Sequence, residues 1–236
     1  MTLARWILAA AVAAAAQGSS TGLSEENDAP GRAPALVCQE DFEKGADRWE
    51  PTDPNAWQIE QIDGNKVYSQ SKGSKYSPPQ RSPLNISLLK DVYVGDFVLT
   101  VRVQSTCRDY NHRDVCLFFG HQGPSHFYYV HLGKKADPHA NQIFIVNDAP
   151  RTMITEKQSP GTPWDDQWHR VKVVRRVADG TIEVYFDDME TPVMTAKDKT
   201  FAWGRVGLGS FDDTSRWDDV RLEGVAVEPA KSRDGQ

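Results

Sequence analysis

The sequence predicts an all-β fold, an antiparallel jelly-roll sandwich, on three observations. Segment 97–104 alternates between apolar residues on one face and mostly polar residues on the other. Nine further short runs have strand character, and no apolar period of helical spacing extends beyond about two turns. Turn signals such as Asp63-Gly64 and Asp179-Gly180 separate the runs. Many short strands without intervening helices are typical of a sandwich that folds as one unit.

The predicted strands follow one another closely along the chain. In chain order they are 57–62, 66–70, 97–104, 115–119, 127–132, 142–147, 171–177, 181–186, 205–211 and 220–227. Segment 159–163, Ser-Pro-Gly-Thr-Pro, indicates a loop between two of them.

The length, composition and charge of the chain limit the classes of protein to which it can belong. The chain has 236 residues, of which 39% are hydrophobic and 25% charged, so it can bury the core of one large β domain. Its formal net charge is −6, which gives no electrostatic basis for binding nucleic acid or an anionic membrane surface. We therefore expect no nucleic-acid partner.

The first sixteen residues have the pattern of a secretory signal peptide. Arg5 precedes the unbroken apolar run 6–16, which ends in three alanines suited to cleavage. This run is shorter than the roughly 20 residues that a membrane-spanning helix needs. The sequence therefore predicts a secreted, periplasmic or extracellular protein whose mature chain has no membrane span.

The rest of the chain divides into three parts. Segment 17–34 is rich in Ser, Gly, Pro and acidic residues and is expected to be a flexible linker. Residues 35–228 are predicted to form the jelly-roll domain, and residues 229–236 a disordered tail.

Several runs resemble a known superfamily. They are EDFE at 40–43 with Trp49 shortly after, WHRVKVVRR at 168–176, GTIEVYFDD at 180–188, GRVGLGS at 204–210 and WDDV at 217–220. Together they resemble the concanavalin A-like lectin/glucanase superfamily, especially bacterial laminin-G-like modules and the 3-keto-disaccharide hydrolase-type domain. The resemblance spans most of residues 36–227 and implies fold far more directly than activity.

The superfamily's glucanase motif is absent. Retaining glucanases of this kind carry Glu-x-Asp-x-Glu on one strand, because two carboxyl groups about 5–5.5 Å apart act as nucleophile and acid/base. The sequence contains no such motif. Whether the chain is an enzyme stays open; if it is, a glycoside hydrolase or lyase without that motif is expected.

The resemblance also implies a place for a ligand. Jelly rolls of this superfamily bind oligosaccharides on the concave sheet, through aromatic rings and polar side chains. We expect five residues to converge there: Arg102, Gln104, Tyr129, His131 and Asn141. His131, Tyr129 and Arg102 are also the candidates for acid/base catalysis. The alternative is a solvated polar face without a ligand.

Acidic residues near both ends of the domain suggest a structural calcium ion. In many sandwiches of this superfamily the first and last strands pair, which would bring together Glu40, Asp41, Asp218 and Asp219. Carboxylate oxygens are the ligands that Ca²⁺ prefers. The alternative is that these residues form turns and strand ends facing water.

Three cysteines are present in a chain with an export signal. Cys107 and Cys116 flank a short segment between two predicted strands, and a disulfide is expected there because oxidising compartments favour one. Cys38 would then stay unpaired, although its pairing with either of the others remains open.

Three functions fit these features. The first is an exported carbohydrate-binding or glycan-processing domain with an oligosaccharide or polysaccharide partner. The second is a glycoside hydrolase of the 3-keto-disaccharide hydrolase type, and the third is a laminin-G-like protein-interaction module.

Overall fold

The computed structural model describes residues 34–229, which form two antiparallel β-sheets packed face to face. Within this range there is no α-helix, only a short 3-10 turn at Pro54–Ala56. The predicted all-β sandwich is confirmed. The predicted signal peptide, the predicted linker up to residue 33 and the predicted tail from residue 230 lie outside the described residues.

The described chain contains sixteen strands. In chain order they are β1 (Ala35–Glu40), β2 (Trp49–Pro51), β3 (Trp57–Ile62), β4 (Asn65–Gln70), β5 (Asn85–Leu89), β6 (Val94–Ser105), β7 (Asp114–Gly123), β8 (His126–Gly133), β9 (Gln142–Asn147), β10 (Thr152–Met153), β11 (Thr155–Gln158), β12 (His169–Arg176), β13 (Thr181–Phe186), β14 (Met194–Lys197), β15 (Arg205–Ser210) and β16 (Ser215–Ala226).

The strands divide into a nine-stranded and a seven-stranded sheet. The nine-stranded sheet has the order β11-β14-β13-β12-β6-β16-β4-β3, and β1 pairs with the second half of β16 beside β4. The seven-stranded sheet has the order β10-β9-β8-β7-β15-β5-β2. Consecutive strands β6 and β7 therefore lie in different sheets, so the segment between them crosses from one sheet to the other.

The main hydrophobic core lies between the sheets. On β6, Leu99, Val101 and Val103 are buried in it, while the alternate residues Arg102 and Gln104 are only half-buried, as the sequence alternation predicts. Burying each large aliphatic side chain stabilises the fold by about 1.5–3 kcal/mol. The inward residues of β8 complete this layer opposite β6: Tyr128, Val130 and Leu132.

A second hydrophobic cluster covers the outer face of the seven-stranded sheet. Phe118, Phe127, Tyr129 and Phe144 pack together there, and Tyr76 from the segment between β4 and β5 packs against them. The face that the sequence analysis assigned to a ligand is thus largely filled by protein. It opens into a cavity at the end where β7 begins and β8 ends.

The structure also bears on the membrane prediction. Between residues 34 and 229, no helix has the length and apolar character required to cross a bilayer.

A half-buried histidine should make the stability of the fold pH-dependent. The His121 ring packs on Phe127 with 5.2 Å between ring centroids, and burial, helped by the Arg205 guanidinium, lowers its pKa from 6.5 to about 4. As pH falls, His121 becomes protonated near pH 6.5 in the unfolded chain but only near pH 4 in the folded chain. Stability should fall as pH falls through this window, by about 3 kcal/mol at most.

Urea unfolding at pH 7.5 and pH 4.5 tests this effect. His121→Phe keeps an aromatic ring on Phe127 but cannot titrate, so the variant should lose less stability than the wild type on acidification. His139→Gln, at an exposed position, is the matched control and should behave as the wild type does. Equal losses in His121→Phe and the wild type would contradict the assignment.

Candidate functional site

A polar cavity of about 310 Å³ lies where the outer face of the seven-stranded sheet opens. Because β7 and β8 are antiparallel, with Cys116 opposite His131, the start of β7 and the end of β8 meet at one edge. Loops following β4, β6, β8, β9 and β15 supply the rest of the wall. The lining residues are Arg81, Tyr110, His112, Asp114, His131, His139, Arg151, Phe211 and Asp212.

A buried aspartate and histidine form the floor of the cavity. Asp114 and His131 are 1% and 4% exposed, and Asp114 Oδ2 lies 3.1 Å from His131 Nε2. Oδ2 accepts a hydrogen bond from the backbone N–H of Phe211 at 2.8 Å, while His131 Nδ1 lies 2.9 Å from the carbonyl oxygen of His139. A carbonyl oxygen only accepts, so Nδ1 carries a proton.

A second buried carboxylate ties two loops to the start of β7. Asp213 accepts hydrogen bonds from the Tyr110 hydroxyl at 2.8 Å, the Cys107 thiol at 2.9 Å and the Asp114 backbone N–H at 2.8 Å. Burial raises the pKa of the Asp213 carboxyl. The exposed Asp212 carboxyl is partly desolvated by its neighbours, which together with the Asp114 charge raises its pKa. This network fixes the position of Asp114 at the cavity floor.

An arginine is held rigidly at the cavity wall. The Arg151 guanidinium lies over the Phe211 ring at 4.4 Å and over the Phe144 ring at 4.8 Å, and it donates to the Tyr129 hydroxyl at 2.9 Å. The His131 ring also stacks on Phe211, with 5.9 Å between ring centroids. Aromatic contacts of this kind restrain the guanidinium and leave its remaining N–H groups for a ligand.

Of the five residues predicted to bind a ligand, the structure places one in the lining of this cavity. His131 lines the cavity, as expected. Tyr129 lies on the same outer face but is fully buried, and its hydroxyl is occupied by Arg151. Tyr129 therefore supports the site from behind.

The expectation that Arg102 and Gln104 join the same site is wrong. Both lie on β6, in the opposite sheet. Arg102 contacts Asp219 at 3.0 Å and lies over the Trp168 ring at 5.0 Å, whereas Gln104 donates to the Asp166 carbonyl at 2.6 Å. Alternation predicts the face of a strand, but the sheet to which the strand belongs depends on its pairing.

Asn141 also lies outside the cavity lining, and its side chain has a local structural role. It is buried immediately before β9 with a φ of +54°, a left-handed conformation that asparagine tolerates better than most residues. Its amide donates to the Ser159 carbonyl at 3.0 Å and accepts from the Thr162 hydroxyl at 2.9 Å. Asn141 thus joins the β8–β9 connection to the loop after β11.

The expected disulfide is absent. Cys38, Cys107 and Cys116 are all free thiols. Cys107 follows β6 and Cys116 lies within β7, so the segment between them crosses between sheets instead of closing a hairpin. The Cys107 thiol donates to Asp213, and the Cys116 thiol lies 3.4 Å from Asp114 Oδ2.

The four carboxylates considered for calcium have protein partners. Strands β1 and β16 do pair, with Glu40 opposite Val220. Asp218 Oδ2 accepts from the Asn65 amide at 2.9 Å, Asp219 pairs with Arg102, and Glu40 and Asp41 accept from backbone N–H groups two residues ahead. Calcium binding there stays a prediction. Within residues 34–229, the close groups of metal-ligating atoms instead surround Asp114.

Two residues of the site, Asp114 and Phe211, were not predicted from the sequence. Asp114 and Phe211 are 97 positions apart and meet only because β7 and β15 pair. For Asp114, the sequence signal was the β7–β8 hairpin. Once Cys116 is placed opposite His131, Asp114 lies two positions earlier on β7 and therefore on the same face of the sheet as His131.

Comparisons with known proteins establish the fold. No family model and no curated protein matches the chain. A carbohydrate-binding module (CBM66) from Bacillus subtilis is 20% identical, with a TM-score of 0.54 over 75% of this chain and 96% of that chain. A Bacillus subtilis protein of unknown function with a galectin-like fold is 13% identical, with a TM-score of 0.55 over 84% and 99%.

A third solved structure carries a sugar. Domain 4 of AbnA, an extracellular arabinanase from Geobacillus stearothermophilus determined with arabinotriose, is 10% identical, with a TM-score of 0.51 over 84% of this chain and 96% of that chain. Identities this low define architecture alone. The chain has a concanavalin A-like jelly-roll fold, as its sequence resemblance implied.

Proposed function

We propose that this chain is a saccharide-binding domain whose ligand lies in the cavity between Arg151, Asp212 and the Asp114–His131 floor. The observation that carries the proposal is the convergence of charged, planar side chains around a preformed cavity of about 310 Å³. Small-molecule sites have this character, with a few polar groups fixed for orientation. The size suits about one or two sugar units, and therefore a short saccharide or a chain end.

The chemistry of the lining matches sugar hydroxyls. Each hydroxyl both donates and accepts, so a sugar needs donors and acceptors side by side. Arg81 and Arg151 supply donors, while the Asp212 carboxylate supplies acceptors at the solvent-facing side. Hydrogen bonds to such charged groups are roughly twice as strong as neutral ones.

The comparisons support the same function. Two of the similar folds are described as a carbohydrate-binding module and as a domain in complex with arabinotriose. Export is part of the proposal as well, because the apolar run 6–16 after Arg5 would bring the domain to extracytoplasmic glycans. N-terminal sequencing of the mature protein tests export, and an intact Met1 would contradict it.

Arg151→Leu provides the sharpest test of the site. It removes a half-buried donor held between aromatic rings, and losses at such positions reach about 2 kcal/mol or more. We therefore expect affinity for the bound glycan to fall at least about 30-fold. A panel of polysaccharides, short oligosaccharides and 3-keto-glycosides, with binding and released sugar recorded in the same wells, identifies the glycan and measures the change.

Arg102→Leu is the matched control. Arg102 also lies over an aromatic ring and pairs with a carboxylate, but on the opposite sheet. Its loss should leave affinity unchanged. The reverse pattern, with Arg102→Leu weakening binding and Arg151→Leu neutral, would move the site to the other sheet.

Sugar release that disappears in His131→Gln would favour the hydrolase alternative. If neither binding nor released sugar is detected, a protein partner is favoured.

A further inference from the structure

Two buried polar atoms at the cavity floor have no hydrogen-bonding partner among the described residues. They are Asp114 Oδ1 and His131 Nε2. A buried polar atom without a partner costs about 1–3 kcal/mol, so native structures rarely keep one without a reason. Both side chains line the cavity, and each is more than nine-tenths buried.

The orientation of His131 is that of a metal ligand. Its Nδ1–H donates to the His139 carbonyl, which leaves the Nε2 lone pair directed away from that bond. Histidines that bind metals almost always donate their other ring N–H to a carbonyl or carboxylate in this way. Nε2 lies 3.1 Å from Asp114 Oδ2 but outside hydrogen-bonding geometry, a spacing that two ligands of one cation also adopt.

Two groups of possible ligand atoms share Asp114, and Asp212 and His131 belong to different groups. Ligand atoms of Asp114, Asp212 and Asp213 lie within 4.8 Å of one another, and so do those of Asp114, Cys116 and His131. Asp213 already accepts three hydrogen bonds, so its role is to hold Asp114 in place. Asp212 is exposed and free to approach from the solvent side. Repulsion between carboxylates this close together is relieved when a cation binds between them.

We propose that this cluster binds one divalent transition-metal ion, of the Zn²⁺ or Mn²⁺ class, through His131 Nε2 and the carboxylates of Asp114 and Asp212. One imidazole nitrogen with two carboxylates suits these cations, whereas Ca²⁺ prefers oxygen ligands alone. The site is therefore distinct in place and in chemistry from the calcium site that the sequence suggested. The remaining coordination positions of the bound metal ion face the cavity.

The metal site and the saccharide site share a cavity but can be tested apart. If the proposed function holds, the open positions accept hydroxyl or carboxylate oxygens of the sugar. The metal assignment itself does not depend on saccharide, because its ligands are all protein atoms. A titration without sugar therefore reports on the metal alone.

The experiment is calorimetric titration of the chelator-treated full chain with Zn²⁺, Mn²⁺ and Ca²⁺, each alone, together with thermal melts. We expect one equivalent of Zn²⁺ or Mn²⁺ to bind and raise the melting temperature, with Ca²⁺ markedly weaker. Asp212→Asn changes an exposed side chain and should leave folding intact. It should weaken affinity by at least the 10–100-fold that removal of even an outer-shell partner costs.

Controls and a spectroscopic readout make the result decisive. His169→Gln and Asp91→Asn alter a buried histidine and an exposed aspartate elsewhere, and both should bind metal as the wild type does. In the wild type, Mn²⁺ should show nitrogen coupling by electron–nuclear spectroscopy, lost in His131→Gln. A folded wild-type chain that binds neither Zn²⁺ nor Mn²⁺ saturably overturns the proposal. So does undiminished binding by Asp212→Asn, or bound Mn²⁺ without nitrogen coupling.

Discussion

Gly209→Ala is expected to destabilise the protein by more than about 4 kcal/mol, or to prevent folding altogether. An added Cβ at Gly209 would lie 1.9 Å from the carbonyl oxygen of Asn85 and 3.1 Å from a ring carbon of Phe118. Gly209 sits on β15 between Ile86 of β5 and Cys116 of β7. Because the nearest obstruction is backbone, no side-chain rotation relieves it, and β5 must move away from β15.

Gly73→Ala is the matched control for this prediction. An added Cβ at Gly73 meets nothing within 4 Å, so the change should be neutral or stabilising by about 0.4–1 kcal/mol. Urea unfolding monitored by fluorescence compares both variants with the wild type. If Gly209→Ala unfolds at the wild-type urea midpoint, β5 and β15 are not packed as described.

The alternation of apolar residues made most of the fold predictable. All ten predicted strands overlap observed ones, and the six that were missed are β1, β2, β5, β10, β11 and β14. The missed strands lack the periodic signal for physical reasons. All five residues of β5 are buried, because the outer hydrophobic cluster covers its second face, so no polar residue alternates. Strand β10 has only two residues, both exposed.

The candidate site was predictable only in part. Periodicity correctly put His131 and Tyr129 on one face of β8 and the core residues Tyr128 and Val130 on the other. It could not reveal that a second hydrophobic cluster fills most of that face. Nor could it show that β6 joins the opposite sheet, which separates Arg102 from His131.

The cysteines illustrate the same limit. The spacing of Cys107 and Cys116 suits a hairpin loop, and in that geometry a disulfide is reasonable. Because the connection crosses between sheets, each thiol lies beside a different carboxylate, Asp213 for Cys107 and Asp114 for Cys116. Which strands pair across long sequence distances determines where the two thiols lie, and the spacing of two cysteines carries no information about that pairing.

Asp213→Ala is expected to cost about 3–5 kcal/mol, because it leaves one buried and two partly buried donors without an acceptor, and a fully buried one costs about 1–3 kcal/mol. The carboxylate accepts from Tyr110, Cys107 and the Asp114 backbone, and these bonds join the β6–β7 crossing to the β15–β16 loop. Without the Asp213 carboxylate, the backbone N–H of Asp114 at the floor of the cavity loses its hydrogen-bond acceptor. Urea unfolding should show the lost stability, and both saccharide and metal binding should weaken even where the fold survives.

The neighbouring residue gives a matched comparison. Asp212 is exposed, so Asp212→Ala should change stability by less than about 0.5 kcal/mol, although the two positions are adjacent and chemically identical. Asp213→Asn keeps one acceptor oxygen and should fall between the two alanine variants. If the alanine variants at 212 and 213 are equally stable, the buried carboxylate does not organise the site. A selective loss at 213 would instead show that one aspartate, remote from the sheets' main core, sets the geometry in which Asp114 and His131 meet a ligand.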